Sequence, residues 1–74
     1  MKEILDKTHE IEGQDVLLLW EGNEVNGIFS AEKRFEEWGY NTCRVESGRV
    51  LLHFQYSDIA SVSTDEKNIM VLRS

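Results

Sequence analysis

The alternation of hydrophobic and polar residues is clearest between positions 13 and 29. Apolar side chains fill Val16 to Trp20, a polar tetrad follows at Glu21 to Glu24, and Val25, Gly27 and Phe29 then take alternate positions. Two apolar runs on either side of a turn-forming tetrad are typical of a β-hairpin. The sequence therefore predicts two antiparallel strands here.

The first of these strands, Asp15 to Trp20, is apolar at five consecutive positions. A strand with one buried face would alternate, so this pattern indicates that both faces are covered. In a small barrel one face points to the interior, and the other would meet the N-terminal helix or a neighbouring subunit. Gly27, in the middle of the second strand, indicates a bend or bulge of the kind that closes such a barrel.

The hairpin is preceded by a segment with helical composition. Ile4, Leu5 and Ile11 form a narrow apolar stripe among charged residues, which predicts a helix over residues 2–12 that ends near Gly13. A helix of about three turns is marginal alone, so Ile4 and Leu5 are expected to dock on the rest of the domain.

After residue 40 the period of two returns. The pattern predicts a third strand from Asn41 and a turn at Ser47-Gly48, followed by a fourth strand over residues 49–56. Ser57-Asp58 interrupts this strand, and two short strands then follow, Ile59 to Ser63 and Ile69 to Leu72, with a polar turn between them.

Residues 30–38 allow two interpretations. Ser30 can cap a helix, Ala31, Phe35 and Trp38 have helical spacing, and Gly39 can end it, which predicts a short helix over 30–38. The competing interpretation extends the second strand through Phe35 and places a turn at 36–39.

Together these elements predict a mainly β (α+β) fold. We expect a single domain over 1–74, consisting of an N-terminal helix over 2–12 and a small, strongly bent antiparallel β-barrel over 14–72. The predicted barrel core consists of Val16, Leu18, Val25, Phe29, Val45, Leu52, Phe54 and Val62.

Composition narrows the class of protein. The chain has 74 residues, a formal net charge of −6 and one cysteine, Cys43, so an internal disulfide is excluded and a reducing cytoplasm is the expected location. The N-terminus lacks the apolar stretch of a signal peptide, and no run approaches the roughly 20 apolar residues of a membrane span. The negative charge argues against general nucleic-acid binding.

Chemistry-bearing residues are few. His9, His53 and Cys43 lack metal-ligand spacing, and Glu36-Glu37 and Asp65-Glu66 are adjacent pairs whose side chains diverge. No phosphate-binding loop or nucleophile motif is present. We expect no catalytic residues, no metal and no cofactor, and hence no enzyme.

The predicted hairpin carries a family resemblance. A helix followed by Gly13-x-x-Val16-x-Leu18-x-Trp20-x-Gly22-x-x-Val25-x-Gly27-x-Phe29 resembles the first motif of the Sm-like and Hfq-like small β-barrel family, and Leu51 to Ile59 is similar to the second. The resemblance covers roughly residues 3–63 and implies an Sm- or SH3-like barrel that can oligomerise.

The positions that contact RNA in that family differ here. The family has Arg-Gly or Lys-His where this chain has Tyr56-Ser57 or Ser57-Asp58. Asn41 matches a family asparagine only if about four residues are inserted before it, and no aspartate lies in that insert. The RNA-binding function implied by the family therefore does not carry over residue by residue.

The expected function is a non-enzymatic interaction module that contacts a protein partner or itself, without a membrane and without binding nucleic acid on its own. Two alternatives stay open: an RNA-binding Sm-like ring, and a small acidic inhibitor or nucleic-acid mimic of phage type. A half-exposed aromatic patch beside two cations is the predicted partner contact, and the residues assigned to it are Lys33, Arg34, Trp38, Tyr40 and Tyr56.

Overall fold

A computed structural model of the chain describes residues 2–32 and 42–73. In these residues one helix precedes a six-stranded sheet, which confirms the mainly β class with an N-terminal helix. A 3-10 turn, Tyr56–Asp58, follows the fourth strand directly. The elements are α1 (Lys2–Glu10), β1 (Asp15–Trp20), β2 (Asn23–Glu32), β3 (Thr42–Ser47), β4 (Val50–Gln55), β5 (Ile59–Ser63) and β6 (Ile69–Leu72).

The predicted hairpin is formed by β1 and β2, with a tighter turn than the tetrad indicated. Trp20 pairs with Asn23, so only Glu21 and Gly22 lie in the turn. Both have positive φ, 46° and 80° respectively. Two successive positive φ angles define the turn whose twist matches that of the flanking strands, and this allows the ladder to continue up to the turn itself.

The strands follow the order β4-β3-β2-β1-β6-β5. Neighbours are antiparallel except β1 and β6, which run parallel with Leu17 opposite Ile69. Asn68 holds the start of β6 against β1, since its side-chain amide donates to the Asp15 carbonyl at 2.9 Å and its own carbonyl accepts from the Leu17 amide at 2.9 Å. The sheet is not closed, so the predicted barrel is not confirmed.

The core lies on one face of the sheet, under α1. The predicted core residues Val16, Leu18, Phe29, Val45, Phe54 and Val62 are buried, and Val25 and Leu52 are partly buried against them. The structure adds buried residues that the core prediction omitted. One of them, Thr8, is the one buried polar side chain in the part of the chain that the structure describes. The added residues are Thr8, Ile11, Cys43, Tyr56, Ile59 and Met70.

The prediction that a helix begins at Ser30 is wrong. Ser30, Ala31 and Glu32 belong to β2 and pair with β3, where Ser30 lies opposite Arg44. Tertiary contacts outweigh the helical spacing, because the Arg44 Nε donates to the Ser30 hydroxyl at 2.8 Å and the Ala31 amide donates to the Glu12 carboxylate at 2.9 Å. The competing strand interpretation is correct as far as Glu32, and the rest of both interpretations lies outside the described residues.

Candidate interaction site at the seam of the sheet

The two end strands of the sheet, β4 and β5, are consecutive in the chain and are joined by the 3-10 turn Tyr56–Asp58. Among the described strands each has a neighbour on one side only. We call β4, this turn and β5 the seam. Asp58 organises it, since its carboxylate accepts the Gln55 amide at 2.9 Å and its carbonyl accepts the Arg73 amide at 2.8 Å.

A cleft of about 260 Å³ lies beside β4 at the seam. Its apolar wall consists of Trp20, Leu52, Phe54 and Leu72, and His53, Asp58 and Arg73 also line it. Trp20 is 42% exposed. An apolar concave surface with a few polar groups and an accessible indole is the usual composition of a site that anchors a partner side chain.

The cleft exists because the sheet curves. Trp20 ends β1 and Leu52 lies on β4, and two strands separate them in the sheet order. Three strand spacings amount to about 14 Å in a flat sheet. Trp20 and Leu52 nevertheless line one cleft, so the inner faces of β1 and β4 turn towards each other across it.

The two edges of the seam differ in how well they are covered. The ammonium of Lys7 on α1 donates to the Val62 carbonyl of β5 at 3.2 Å, and α1 packs along β5. On β4, the side chains of Val50 and Leu51 are 45% and 48% exposed. The sequence of β4, Val-Leu-Leu-His-Phe-Gln, contains no carboxylate, ammonium or guanidinium group. The edge at β4 is therefore both more accessible and more apolar.

Three buried side chains that carry hydrogen-bonding groups, those of Thr8, Cys43 and Tyr56, lie in contact at the 3-10 turn of the seam. The Tyr56 hydroxyl is in hydrogen-bond contact with the Cys43 thiol and with Thr8, whose own hydroxyl donates to the Leu5 carbonyl at 2.8 Å. Burial raises the pKa of Cys43 to about 12, against an opposing contribution from the Tyr56 contact. Burial also raises the pKa of Tyr56. Both groups stay neutral near pH 7 and join α1, β3 and the turn.

The predicted partner contacts are placed as follows. Lys33, Arg34, Trp38 and Tyr40 lie outside the described residues. Tyr56 is 7% exposed, so in the single chain it offers a partner little surface, and its role as a partner contact stays a prediction. Cys43 is buried as a small core residue, whereas His9 and His53 are exposed.

The sequence did not identify Trp20, Leu72 or Arg73 as residues of an interaction site. A signal for Trp20 was present, because it is the last strand residue before a tight turn, where neighbours are fewest. Leu72 and Arg73 carried no such signal, since they reach the cleft only through the parallel pairing of β6 with β1.

Within residues 2–32 and 42–73, no group of three His, Cys, Asp or Glu side chains is arranged to hold a metal ion. In the same residues, no helix has both the length and the apolar character that crossing a bilayer requires. The cleft itself offers an apolar wall and, at Asp58 and Arg73, two charged side chains.

Comparisons with protein-family models, with curated proteins and with solved structures find no match to this chain. Membership of the Sm-like family therefore stays a prediction from the residues quoted above.

Proposed function

We propose that this chain is a non-enzymatic interaction module of Sm-like type, built as a strongly bent small barrel that is open at the seam. It acts through protein–protein contacts, and its first partner is a second copy of itself. The observation that carries this proposal is the uncharged edge strand β4 beside the apolar cleft that contains Trp20.

Edge strands are normally protected against pairing with other chains. Natural proteins place charges, proline or a covering element on them, since an apolar edge offers a template for another strand. The β5 edge has such a cover in α1 and Lys7, whereas β4 has no charged residue, proline or glycine. A strand that pairs with β4 would direct alternate side chains towards the cleft side of the sheet, where Leu52 and Phe54 lie.

A second copy fits this edge by a symmetric pairing. Two β4 strands that pair antiparallel around a twofold axis present the same surface to each other and form a closed dimer. A ring of the family type would instead pair β4 of one copy with β5 of the next, and Lys7 would have to leave the Val62 carbonyl. Symmetric β4 pairing leaves this contact intact, so we favour the dimer.

Sedimentation equilibrium tests the proposal. The 8.6 kDa chain is expected to have twice that mass in solution, and Leu51→Lys, which places a charge on the β4 edge, is expected to return it to the monomer. The matched control is Ala60→Lys on β5, which leaves a β4-paired dimer intact but would disrupt a ring. If the protein is a hexamer or heptamer that Ala60→Lys disrupts, the ring is the correct assembly and the dimer is not. A monomer at all concentrations, or a mass unchanged by both substitutions, would overturn self-association at the seam.

A further inference from the structure

A second apolar surface lies on the face of the sheet opposite the core. Leu17 and Leu19 on β1 pair with Ile69 and Val71 on β6, so the four side chains form two adjacent rows. They alternate with Leu18 and Met70, which are 1% and 0% exposed in the core. We call Leu17, Leu19, Ile69 and Val71 the outer patch.

The outer patch is separate from the core and from the seam. Each of its four side chains is half-buried, and the partly buried residues that pack on the core are a different set: Ile4, Leu5, Val25, Ala31, Leu52 and Leu72. In the described part of the chain the only helix, α1, packs on β5 and on the core side, so no described element covers the patch.

Register defines the border of the patch. On the β5 side, Ser63 lies opposite Ile69 and Ser61 opposite Val71. On the β2 side, Asn26 lies opposite Leu17 and Glu24 opposite Leu19. The patch continues at one corner to Ile28, which is 44% exposed and diagonal to Leu17 across the hairpin. An aliphatic centre with a polar border is the usual anatomy of a protein-binding surface.

The charges on this face are mainly negative. Asp15, Glu24 and Glu46 are exposed at positions that share the face with the patch. Arg44 also lies on this face, where its Nε donates to the Ser30 hydroxyl. Lys67 lies in the turn before β6, next to Asn68, whose side-chain amide donates to the Asp15 carbonyl, so one cation borders the patch at the end where Asp15 lies. The β1–β2 side of the border is therefore acidic.

We propose that the outer patch docks a protein segment that presents apolar side chains flanked by lysine or arginine. Apolar contact on Leu17, Leu19, Ile69 and Val71 would supply the burial, and the cations of the segment would lie over Asp15 and Glu24. A second copy of this chain is a poor occupant, because stacking two such faces opposes the same carboxylates in chains that each carry a formal charge of −6. The proposal is independent of pairing at the seam.

Fluorescence anisotropy with two synthetic peptides tests the proposal. The first probe is an amphipathic helical peptide of leucine and lysine, and the second is its leucine and glutamate counterpart of equal length. The protein is expected to bind the lysine peptide and not the glutamate peptide. The double variant Leu19→Ser with Val71→Ser is expected to weaken binding by about tenfold or more, as for central anchors of an interface. His9→Ser, which shortens an exposed side chain on α1 outside both the patch and the seam, is the control and is expected to bind like the parent protein.

A second variant addresses the charges without altering the packing. Glu24→Lys replaces an exposed residue, so the protein is expected to fold normally by circular dichroism while it binds the lysine peptide several-fold more weakly and with less dependence on salt. Equal binding of the parent and the Leu19→Ser/Val71→Ser variant would show attraction by net charge alone and overturn the proposal. Three further results would overturn the proposal: no binding of either peptide, equal binding of the two peptides, or a dimer that only the Leu19→Ser/Val71→Ser variant dissociates.

Discussion

At the scale of single residues, the buried contacts among Thr8, Cys43 and Tyr56 are the most consequential polar feature of the core. Thr8 and Cys43 are 1% and 0% exposed, and they come from α1 and β3. A polar group in an apolar core destabilises the fold unless it is hydrogen-bonded, and here each group has a partner. These contacts attach the helix to the sheet in a defined position.

The raised pKa values of Cys43 and Tyr56 predict a loss of stability at alkaline pH. A group whose pKa is higher in the folded state stabilises the fold below its unfolded pKa and loses this contribution as the pH rises towards the folded value. For Cys43 this window extends from 9.0 to about 12. Near neutral pH neither group titrates, so the two groups should not change the free energy of unfolding there. Above about pH 9 they should lower it.

Urea denaturation at stepped pH measures this effect. The variant Cys43→Ala with Tyr56→Phe lacks both titrating groups and should show a shallower decline of the free energy of unfolding at alkaline pH, whatever its stability at pH 7.

Thiol reactivity provides a second measurement. A thiol reagent should react slowly with the native protein and quickly in denaturant, because the buried neutral thiol is a poor nucleophile. Rapid reaction of the native thiol, or identical pH dependence of the two proteins, would contradict this account.

Leu18 is the clearest test of the core. It is 1% exposed and faces the core from the middle of β1, so Leu18→Ala should lower the free energy of unfolding by about 2–5 kcal/mol. Ile28→Ala, at a side chain that is 44% exposed, is the matched control and should change it by less than about 0.5 kcal/mol. A loss below about 1 kcal/mol for Leu18→Ala in denaturant melts would place this leucine outside the energetic core.

Single residues were predictable where alternation alone decides burial. The apolar face of each strand identified Val16, Leu18, Phe29, Val45 and Phe54 correctly, because successive strand residues point to opposite faces. The same alternation places Tyr56 on the face of Phe54, and Tyr56 is buried although it lies in the 3-10 turn, where it contacts Cys43 and Thr8.

At the scale of elements, the close approach of β2 and β3 at Gly27 carries a specific requirement. A Cβ atom built on Gly27 would lie 2.6 Å from the Glu46 carbonyl oxygen and 2.8 Å from Cγ1 of Val45. Gly27 does not need glycine for its φ angle, so its requirement is for space. The pairing of β1 with β2 continues through Gly27 without a register shift, so the structure shows a close backbone approach at this glycine and no bulge in this pairing.

Gly27→Ala should therefore push β3 away from β2 and lower the free energy of unfolding by about 1–3 kcal/mol, the usual range for overpacking. Asn26→Ala replaces the adjacent, exposed residue of the same strand and should change stability by less than about 0.5 kcal/mol. Thermal or denaturant melts of the two variants give the comparison. Equal stability of both variants would mean that β3 moves aside without cost.

Strand boundaries were predictable from turn residues, but strand order was not. The bounds Asp15–Trp20, Ile59–Ser63 and Ile69–Leu72 match the sequence pattern residue for residue. The insertion of β6 between β1 and β5, parallel to β1, depends on contacts such as those of Asn68 with Asp15 and Leu17, across 53 and 51 positions of the chain. Local periodicity contains no information on such pairs. The same limit explains why Ser30 to Glu32 resembled a helix start.

At the scale of the whole molecule, the charge distribution separates two kinds of surface. The seam has an uncharged edge strand and an apolar cleft, whereas the outer patch has carboxylates on one side. A molecule with both could pair with itself at β4 and still present two outer patches to another protein. The formal charge of −6 favours basic partners for that second contact.

The same charge predicts that the protein does not bind RNA or DNA appreciably on its own at physiological salt. The chain has 14 acidic and 8 basic residues, and in the predicted resemblance to the Sm-like family the RNA-contacting positions correspond to Tyr56, Ser57 and Asp58. Each phosphate that a lysine or arginine neutralises releases a counterion and adds to the affinity, and the basic residues of this chain are dispersed along the sequence. Lys7 is already engaged with Val62 and Glu3. Repulsion should therefore outweigh attraction over a screening length of about 8 Å.

Filter binding of short oligo-U and oligo-A at about 0.15 M salt tests this prediction, and the parent protein should show no retention. A charge-reversed variant, Asp15→Lys with Glu24→Lys and Glu46→Lys, provides the control. Its three reversals, of two charge units each, cancel the formal charge of −6 and give the outer face a basic border. Retention by this variant alone would show that the carboxylates cause the exclusion. The prediction would be wrong if the parent protein bound either oligonucleotide with a dissociation constant of about a micromolar or tighter. So acidic a chain could bind phosphate only through a local concentration of cations. The RNA-binding ring would then become the better interpretation.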